Sequence, residues 1–392
     1  MFLASRPRPR PSRVRRAAFV HLAPLALLPL AACATLPAPS GGGDNLPNAG
    51  IGPFRPLATA ELGNLRSGPF ALDDDTTFAR DPSLLDLDGD PKTFAIAGYF
   101  GAATAQDGAP PTATDPTRAI VRFEAQDGRS FDRKPEEVLH AERPWEGDVM
   151  GAPSIVRSSP QFGSRLFLYY AAAGGIGLAQ SDDGHTFTRF SDAPVLGPTS
   201  AGWENGAIPT SPGVIVFPDG SFRMFYEVAL PDAGSAIGEA RSQDGRFWER
   251  VGDAPALAPR AAEAGQEAPY DASAVGSPCP ILGATGEGKP VLRLYHGARD
   301  ASGAAVVGLA ARFESEGAGP QFTELGGRFE RASGPVFGTS KPLGTSEPSL
   351  LAYEGFLLLF ASAPSAATRA HPAVSVGVAP ASASLPAPTG AQ

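Results

Sequence analysis

Asp81 and Glu347 lie far apart in the chain, yet each is followed by the same tetrapeptide, Pro82-Ser83-Leu84-Leu85 and Pro348-Ser349-Leu350-Leu351. Two carboxyl groups held together can divide proton transfer between them, one serving as base or nucleophile and the other as acid. Two more acids stand in short loops, Asp148 in Glu146-Gly147-Asp148 and Glu204 in Trp203-Glu204-Asn205. An indole beside a carboxyl desolvates it and raises its pKa, as a general acid requires, so the expected partner of Asp81 is Glu204, then Asp148, then Glu347. Trp145 and Trp203 are either stacking platforms for a flat apolar ligand face or hydrophobic plugs. Asp271 and His296 are candidates for ligand contact, against a structural hydrogen bond for Asp271 and core packing for His296. For Asp81 to meet any of these partners, the fold must gather equivalent positions of distant segments.

The chain contains such a device. Five times a Pro-containing apolar strand runs through a short turn into an aromatic-rich strand. The anchors are Pro82, Pro153, Pro212, Pro278 and Pro348, spaced by 71, 59, 66 and 70 residues. After the first three hairpins comes a third strand and an Asp-Gly turn, at Asp127-Gly128, Asp183-Gly184 and Asp244-Gly245. Asp-Gly between apolar strands is a strong hairpin signal, because Gly takes positive φ freely. The aromatic after each turn is expected to cover its own blade's outer edge. A fourth strand then leads into elements such as Pro194-Val195-Leu196, Pro255-Ala256-Leu257 and Pro335-Val336-Phe337. A long repeat made only of strands and turns predicts an all-β, five-bladed β-propeller with four-stranded antiparallel blades. Ala373 to Val378 is the third strand of the last blade, and no fourth follows. Closure of the ring by an N-terminal strand from Gly52 to Leu65 removes the open edge.

In a propeller the first strand of each blade lines the central channel. The positions before the five anchors are Arg80-Asp81, Gly151-Ala152, Thr210-Ser211, Gly276-Ser277 and Ser346-Glu347. Asp81 and Glu347 become neighbours once the ring closes.

Asp-Pro-Ser-Leu-Leu in the first blade, five blades, and the Ser-x-Asp-Gly-x-x-Phe/Trp turns together resemble the five-bladed glycosidases: arabinanases, β-xylosidases, invertases, levansucrases and the related mannoside phosphorylases. The resemblance covers nearly the whole chain after its leader. It implies carbohydrate binding or hydrolysis at the central channel by three acids. Asp81 matches the base or nucleophile of blade one. Ala152 stands where the supporting Asp of blade two is implied, and Thr210-Ser211 where the acid Glu of blade three is implied. Asp148 and Glu204 are the substitutes within reach. The alternative is a non-catalytic scaffold or protein-interaction propeller that lacks the acids.

Other chemistry is not supported. Asp86-Leu87-Asp88-Gly89-Asp90 has its Gly misplaced for a calcium loop and Ala97 at the twelfth position. The five histidines, His21, His140, His185, His296 and His371, show no metal-ligand spacing. No cofactor is expected. Residues 1–16 carry six arginines and no acid, residues 17–32 are apolar, and Leu30-Ala31-Ala32-Cys33 ends the run. This resembles a bacterial lipoprotein signal, too short to span a bilayer, with Cys33 as the acylated N-terminus. Several acyl chains then anchor the protein in the cell envelope, at the outer membrane or cell surface. Cys279 is the only other cysteine, so no disulfide framework forms. Loss of the leader takes the formal charge from −9 to −15, which opposes nucleic-acid binding. The expected organisation is signal peptide 1–32, Pro/Gly/Ser-rich tether 33–53, propeller 54–379 and disordered tail 380–392.

Overall fold

The structure is a computed structural model, and it describes residues 54–56, 77–88, 95–104, 115–125, 135–231, 234–284, 290–313, 327–337, 346–353, 356–363 and 373–380. Signal, tether, Cys33, Asp127-Gly128 and tail lie outside the described residues. The described residues form an all-β propeller, with two short 3₁₀ turns as their only helix.

The described strands make five four-stranded antiparallel sheets. Sheet one contains β2 (Thr77–Asp86), β3 (Ile96–Thr104), β4 (Ala119–Ala125) and β5 (Glu136–His140). Sheet two contains β6 (Met150–Arg157), β7 (Leu166–Ala172), β8 (Gly175–Ser181) and β9 (Thr188–Arg189). Sheet three contains β10 (Pro209–Val216), β11 (Phe222–Ala229), β12 (Ser235–Ser242) and β13 (Glu249–Arg250). Sheet four contains β14 (Ala274–Ala284), β15 (Pro290–Arg299), β16 (Ala305–Phe313) and β17 (Glu330–Arg331). Sheet five contains β18 (Ser346–Tyr353), β19 (Phe356–Ala363) and β20 (Ala373–Pro380), and β1 (Arg55–Pro56) pairs with β20 through Arg55↔Val378 and Pro56↔Gly377. The first strands touch in sequence, β2 on β6, β6 on β10, β10 on β14, β14 on β18 and β18 on β2.

The sequence pattern explains the stacking. β7 is buried along its whole length, so both faces of its sheet are covered. Leu166, Leu168 and Tyr170 pack towards sheet one with Tyr99 and Ile155. Phe167 and Tyr169 point the other way, into a core with Phe222, Met224 and Tyr226 of sheet three. Sheets three and four share Phe225, Ile237, Val275 and Leu294. Sheets four and five share Tyr295, Val307, Leu357 and Leu359, and Phe54 joins this cluster from just before β1. The Pro-Val-Leu elements bridge back to the third strands, as Ile176↔Leu196, Ile237↔Leu257 and Val307↔Phe337.

The Asp-Gly turns do more than reverse the chain. Asp183 Oδ1 accepts the amides of His185 and Thr186, and Asp244 Oδ1 accepts those of Arg246 and Phe247. Gly184 and Gly245 take φ of 79° and 73°, which suits Gly alone at little cost. Each turn glycine accepts a tyrosine hydroxyl from the preceding sheet, Tyr99 to Gly184 O at 2.9 Å and Tyr169 to Gly245 O at 2.6 Å. Phe187 stands edge-on to Tyr99, and Trp248 edge-on to Tyr169. The turn aromatic therefore clasps the previous sheet, where the tyrosine offers both a ring and a hydroxyl, and Trp248 also packs edge-on against Phe222 of its own sheet.

Candidate functional site

Every first strand carries a β-bulge at the same place. The register shifts between Arg80 and Ser83, Gly151 and Ser154, Thr210 and Gly213, Gly276 and Cys279, and Ser346 and Pro348. The residue inside each bulge has positive φ: Asp81 57°, Ala152 44°, Ser211 46°, Ser277 46° and Glu347 61°. Each also precedes a proline, which disfavours helical backbone before it. None is glycine, and such conformations cost about 1–3 kcal/mol each unless the surroundings enforce them. Enforcement comes from the neighbouring sheets. Asp81 N–H donates to Ser362 Oγ on β19 (3.1 Å), and Ala152 N–H donates to Asp81 Oδ2 (3.2 Å). One residue beyond each proline, serines join the same seams: Leu84 N–H to Ser349, Ile155 N–H to Ser83 and Val214 N–H to Ser154, all at 3.0–3.1 Å.

This ring brings Asp81 and Glu347 together. The Glu347 carboxyl hydrogen-bonds that of Asp81, and burial followed by the charge of Asp81 pushes it well above the usual carboxylate range. Arg80 Nε lies 3.8 Å from Asp81 Oδ2. Gly101 leaves room for this carboxylate, since a Cβ there would approach Asp81 Oδ2 to 3.2 Å.

Glu204 is placed differently. Its buried carboxylate accepts the Tyr226 hydroxyl at 2.6 Å and Arg250 Nε at 2.8 Å. It shares no partner with Asp81. A buried acid paired with a fourth-strand arginine recurs twice. Glu146 accepts Tyr170 O–H and Arg189 Nε, both at 2.7 Å. Asp271 holds Arg260 at 2.6 Å and Arg331 at 2.7 Å. Each acid follows an aromatic, Trp145, Trp203 or Tyr270, and binds the arginine of a fourth strand. That arginine also donates to a carbonyl upstream, at His140 at the end of β5 or at Gly197 or Ala258 in the incoming loop. Burial opposes the charge of Glu146, yet its hydrogen bonds from Arg189, two backbone amides and Tyr170 hold its pKa below the ordinary value. These three acids brace sheet to loop.

The remaining candidates fall around these braces. Trp145 is half-buried and stacks on Tyr170 with ring centres 6.1 Å apart, and Trp203 packs into the core between sheets two and three. His296 is fully buried beside Tyr270, and burial pulls its pKa down to about 4, so it is neutral at physiological pH. Asp148 is exposed in its loop. Among the described residues no group of three or more His, Cys, Asp or Glu could hold a metal ion.

One acid went unnoticed in the sequence. Glu227 on β11 pairs in register with Thr210, one residue before the Ser211 bulge. Its Oε2 accepts the Ser277 amide at 3.0 Å. Burial raises its pKa against the hydrogen bond of Ser235, the Ser277 amide, the charge of Arg299 and the hydrogen bond of Ser211. No motif marks it, because only strand pairing reveals which residue of a second strand faces the ring.

No family model matches this chain, and no curated protein matches it. Solved structures do. A complex of BT0996 with RGII matches at 16% identity with a TM-score of 0.56, over 81% of this protein and 90% of the other. A structure described as a glycoside hydrolase matches at 16% identity and 0.56, over 84% and 91%. Zg3597, a family 117 glycoside hydrolase of the marine bacterium Zobellia galactanivorans, matches at 17% identity and 0.52, over 81% and 90%. At these identities the likeness is one of fold: the protein has the β-propeller fold of glycoside hydrolases.

Proposed function

We propose that this protein is an envelope-tethered lipoprotein whose five-bladed propeller binds carbohydrate in its central channel and acts on it where Asp81 and Glu347 meet. The contact between those two carboxyls carries the reading. It joins the first and last sheets at the ring of bulges, and Glu347 keeps its proton nearer neutral pH than an ordinary glutamate, as a proton donor must. Asp81 is the base or nucleophile. Five sheets, the contact of β18 with β2, and the pairing of β1 with β20 support five blades closed by the N-terminal strand. The tether rests on Leu30-Ala31-Ala32-Cys33. Among the described residues no helix is long and apolar enough to cross a membrane.

A second reading has its own support. Ala152 and Ser211 occupy bulge positions where the resemblance implies acids, and Glu204 is held by Arg250 and Tyr226. These features favour a propeller that binds without turnover, or a scaffold. The deciding experiment offers arabinan, xylan, fructan and mannan oligosaccharides to the wild-type protein and Asp81→Asn, with binding and product release both measured. Turnover that disappears in Asp81→Asn while binding persists supports the catalytic reading. Binding without turnover in wild type leaves a lectin-like protein, and neither leaves the scaffold.

A further inference from the structure

Asp81 and Glu227 occupy matching surroundings on different seams of the ring. Asp81 Oδ2 accepts the amide of Ala152, the bulge residue that follows Gly151 in sheet two. Glu227 Oε2 accepts the amide of Ser277, the bulge residue that follows Gly276 in sheet four. Gly276 clears space for the Glu227 carboxyl, whereas Gly151 clears space for Thr117 and lies only in ordinary contact range of Asp81. A Cβ on Gly276 would overlap Glu227 Oε2 and Cδ, closer than real atoms approach. Asp81 reaches its bulge from the first strand of sheet one, whereas Glu227 reaches from the second strand of sheet three, next to the Ser211 bulge.

Asp81 and Glu347 touch, so a glycosidic bond seated between them must part them towards the roughly 5–10 Å that separates acid and base. A further carboxyl along the line of bulges then has a role in holding the sugar. We infer that Glu227 is a ligand-contacting carboxyl of the channel, the counterpart of Asp81 on the far seam, and that Ser235, the Ser277 amide and Ser211 orient it towards a sugar hydroxyl or bridging oxygen. The inference rests on the carbohydrate reading for the identity of the ligand, but not for the exposure of Glu227 to the channel.

The test begins without ligand. The folded, full-length protein is treated at pH 6 with a water-soluble carbodiimide and glycine ethyl ester, and labelled carboxyls are mapped by peptide mass spectrometry. Glu227 is expected to label together with Asp81, while the bracing acids Glu146, Glu204 and Asp271 stay unlabelled until the protein is unfolded. A Glu227 as silent as Glu146 overturns the inference. Next, the arabinan, xylan, fructan and mannan oligosaccharides are added before labelling. Protection of Glu227 supports ligand contact. Protection of Asp81 but not of Glu227 overturns it. Labelling of both with no protection by any sugar leaves Glu227 channel-facing and sinks the carbohydrate reading instead. Glu227→Gln supplies the last arm, because its amide oxygen can still accept the Ser277 amide. The unfolding midpoint should therefore hold while affinity or turnover falls at least about tenfold. Unchanged affinity and turnover in Glu227→Gln would mean that Glu227 only caps the Ser277 bulge.

Discussion

The carboxyl of Glu347 hydrogen-bonds that of Asp81, and each residue stands at positive φ immediately before a proline. Two acids from opposite ends of the folded chain thus share one site, and the backbone that presents them is strained at both.

The shared site makes stability depend on pH. Burial and then the charge of Asp81 raise the pKa of Glu347 in the folded protein. The stability that goes with the bound proton is complete below the unfolded carboxylate value, about 4.3, and is lost as pH rises through the folded value. Glu347→Gln keeps a hydrogen-bond donor towards Asp81 at every pH. It should match wild type near pH 4.5 and exceed it at pH 8 by about 1–2 kcal/mol in urea unfolding. Equal stability at pH 8 would show that Glu347 carries no such proton.

Glu204 and Arg250 form a buried brace. Arg250→Met leaves the Glu204 carboxylate with only Tyr226, and should cost about 2–4 kcal/mol by chemical unfolding. Arg250→Met combined with Glu204→Gln should cost less than Arg250→Met alone, since no buried charge is stranded. If Glu204 were instead the general acid, Glu204→Gln would abolish turnover with stability intact, and that result would restore the simplest reading of Trp203-Glu204.

Ala152 tests the strain of the bulges. Its φ of 44° suits glycine, so Ala152→Gly should be neutral or stabilising by up to about 1 kcal/mol. Ala152→Val should destabilise by about 2 kcal/mol, because a β-branched side chain tolerates positive φ least. Thermal midpoints of the two variants, ranked in the reverse order, would refute the strained backbone.

The repeat was legible because its signals are local. Proline spacing, Asp-Gly turns and period-two apolar runs need no tertiary knowledge, and they located the hairpins of all five sheets. Asp81 and Glu347 were legible for the same reason, since they hold equivalent positions of the repeat and the structure brings those positions into contact. Glu204 was singled out for its indole neighbour, but sequence alone could not show that Arg250 closes on it from a fourth strand only two residues long. The dipeptides Trp145-Glu146, Trp203-Glu204 and Tyr270-Asp271 carried that information as a pattern, yet the pattern gains meaning only through Arg189, Arg250 and Arg331. Glu227 was invisible because its function depends on register, and register across a bulge is a property of two strands together.

Lipid attachment is open to direct measurement. Cys33→Ser should remain unprocessed or be released, with a changed mass and loss from the membrane fraction. Identical mass and partitioning in the two proteins would remove the anchor from the proposal.

The clasp between Tyr99 and Gly184, repeated by Tyr169 and Gly245, has a direction in time. The two described Asp-Gly turns are completed by tyrosines that left the ribosome earlier, so sheets two and three dock on finished predecessors. Assembly from the N-terminus, one sheet upon another, is the expected order. Only the junction of sheet five with β1 and β2 must wait for the end of synthesis, and it is there that the two acids finally meet.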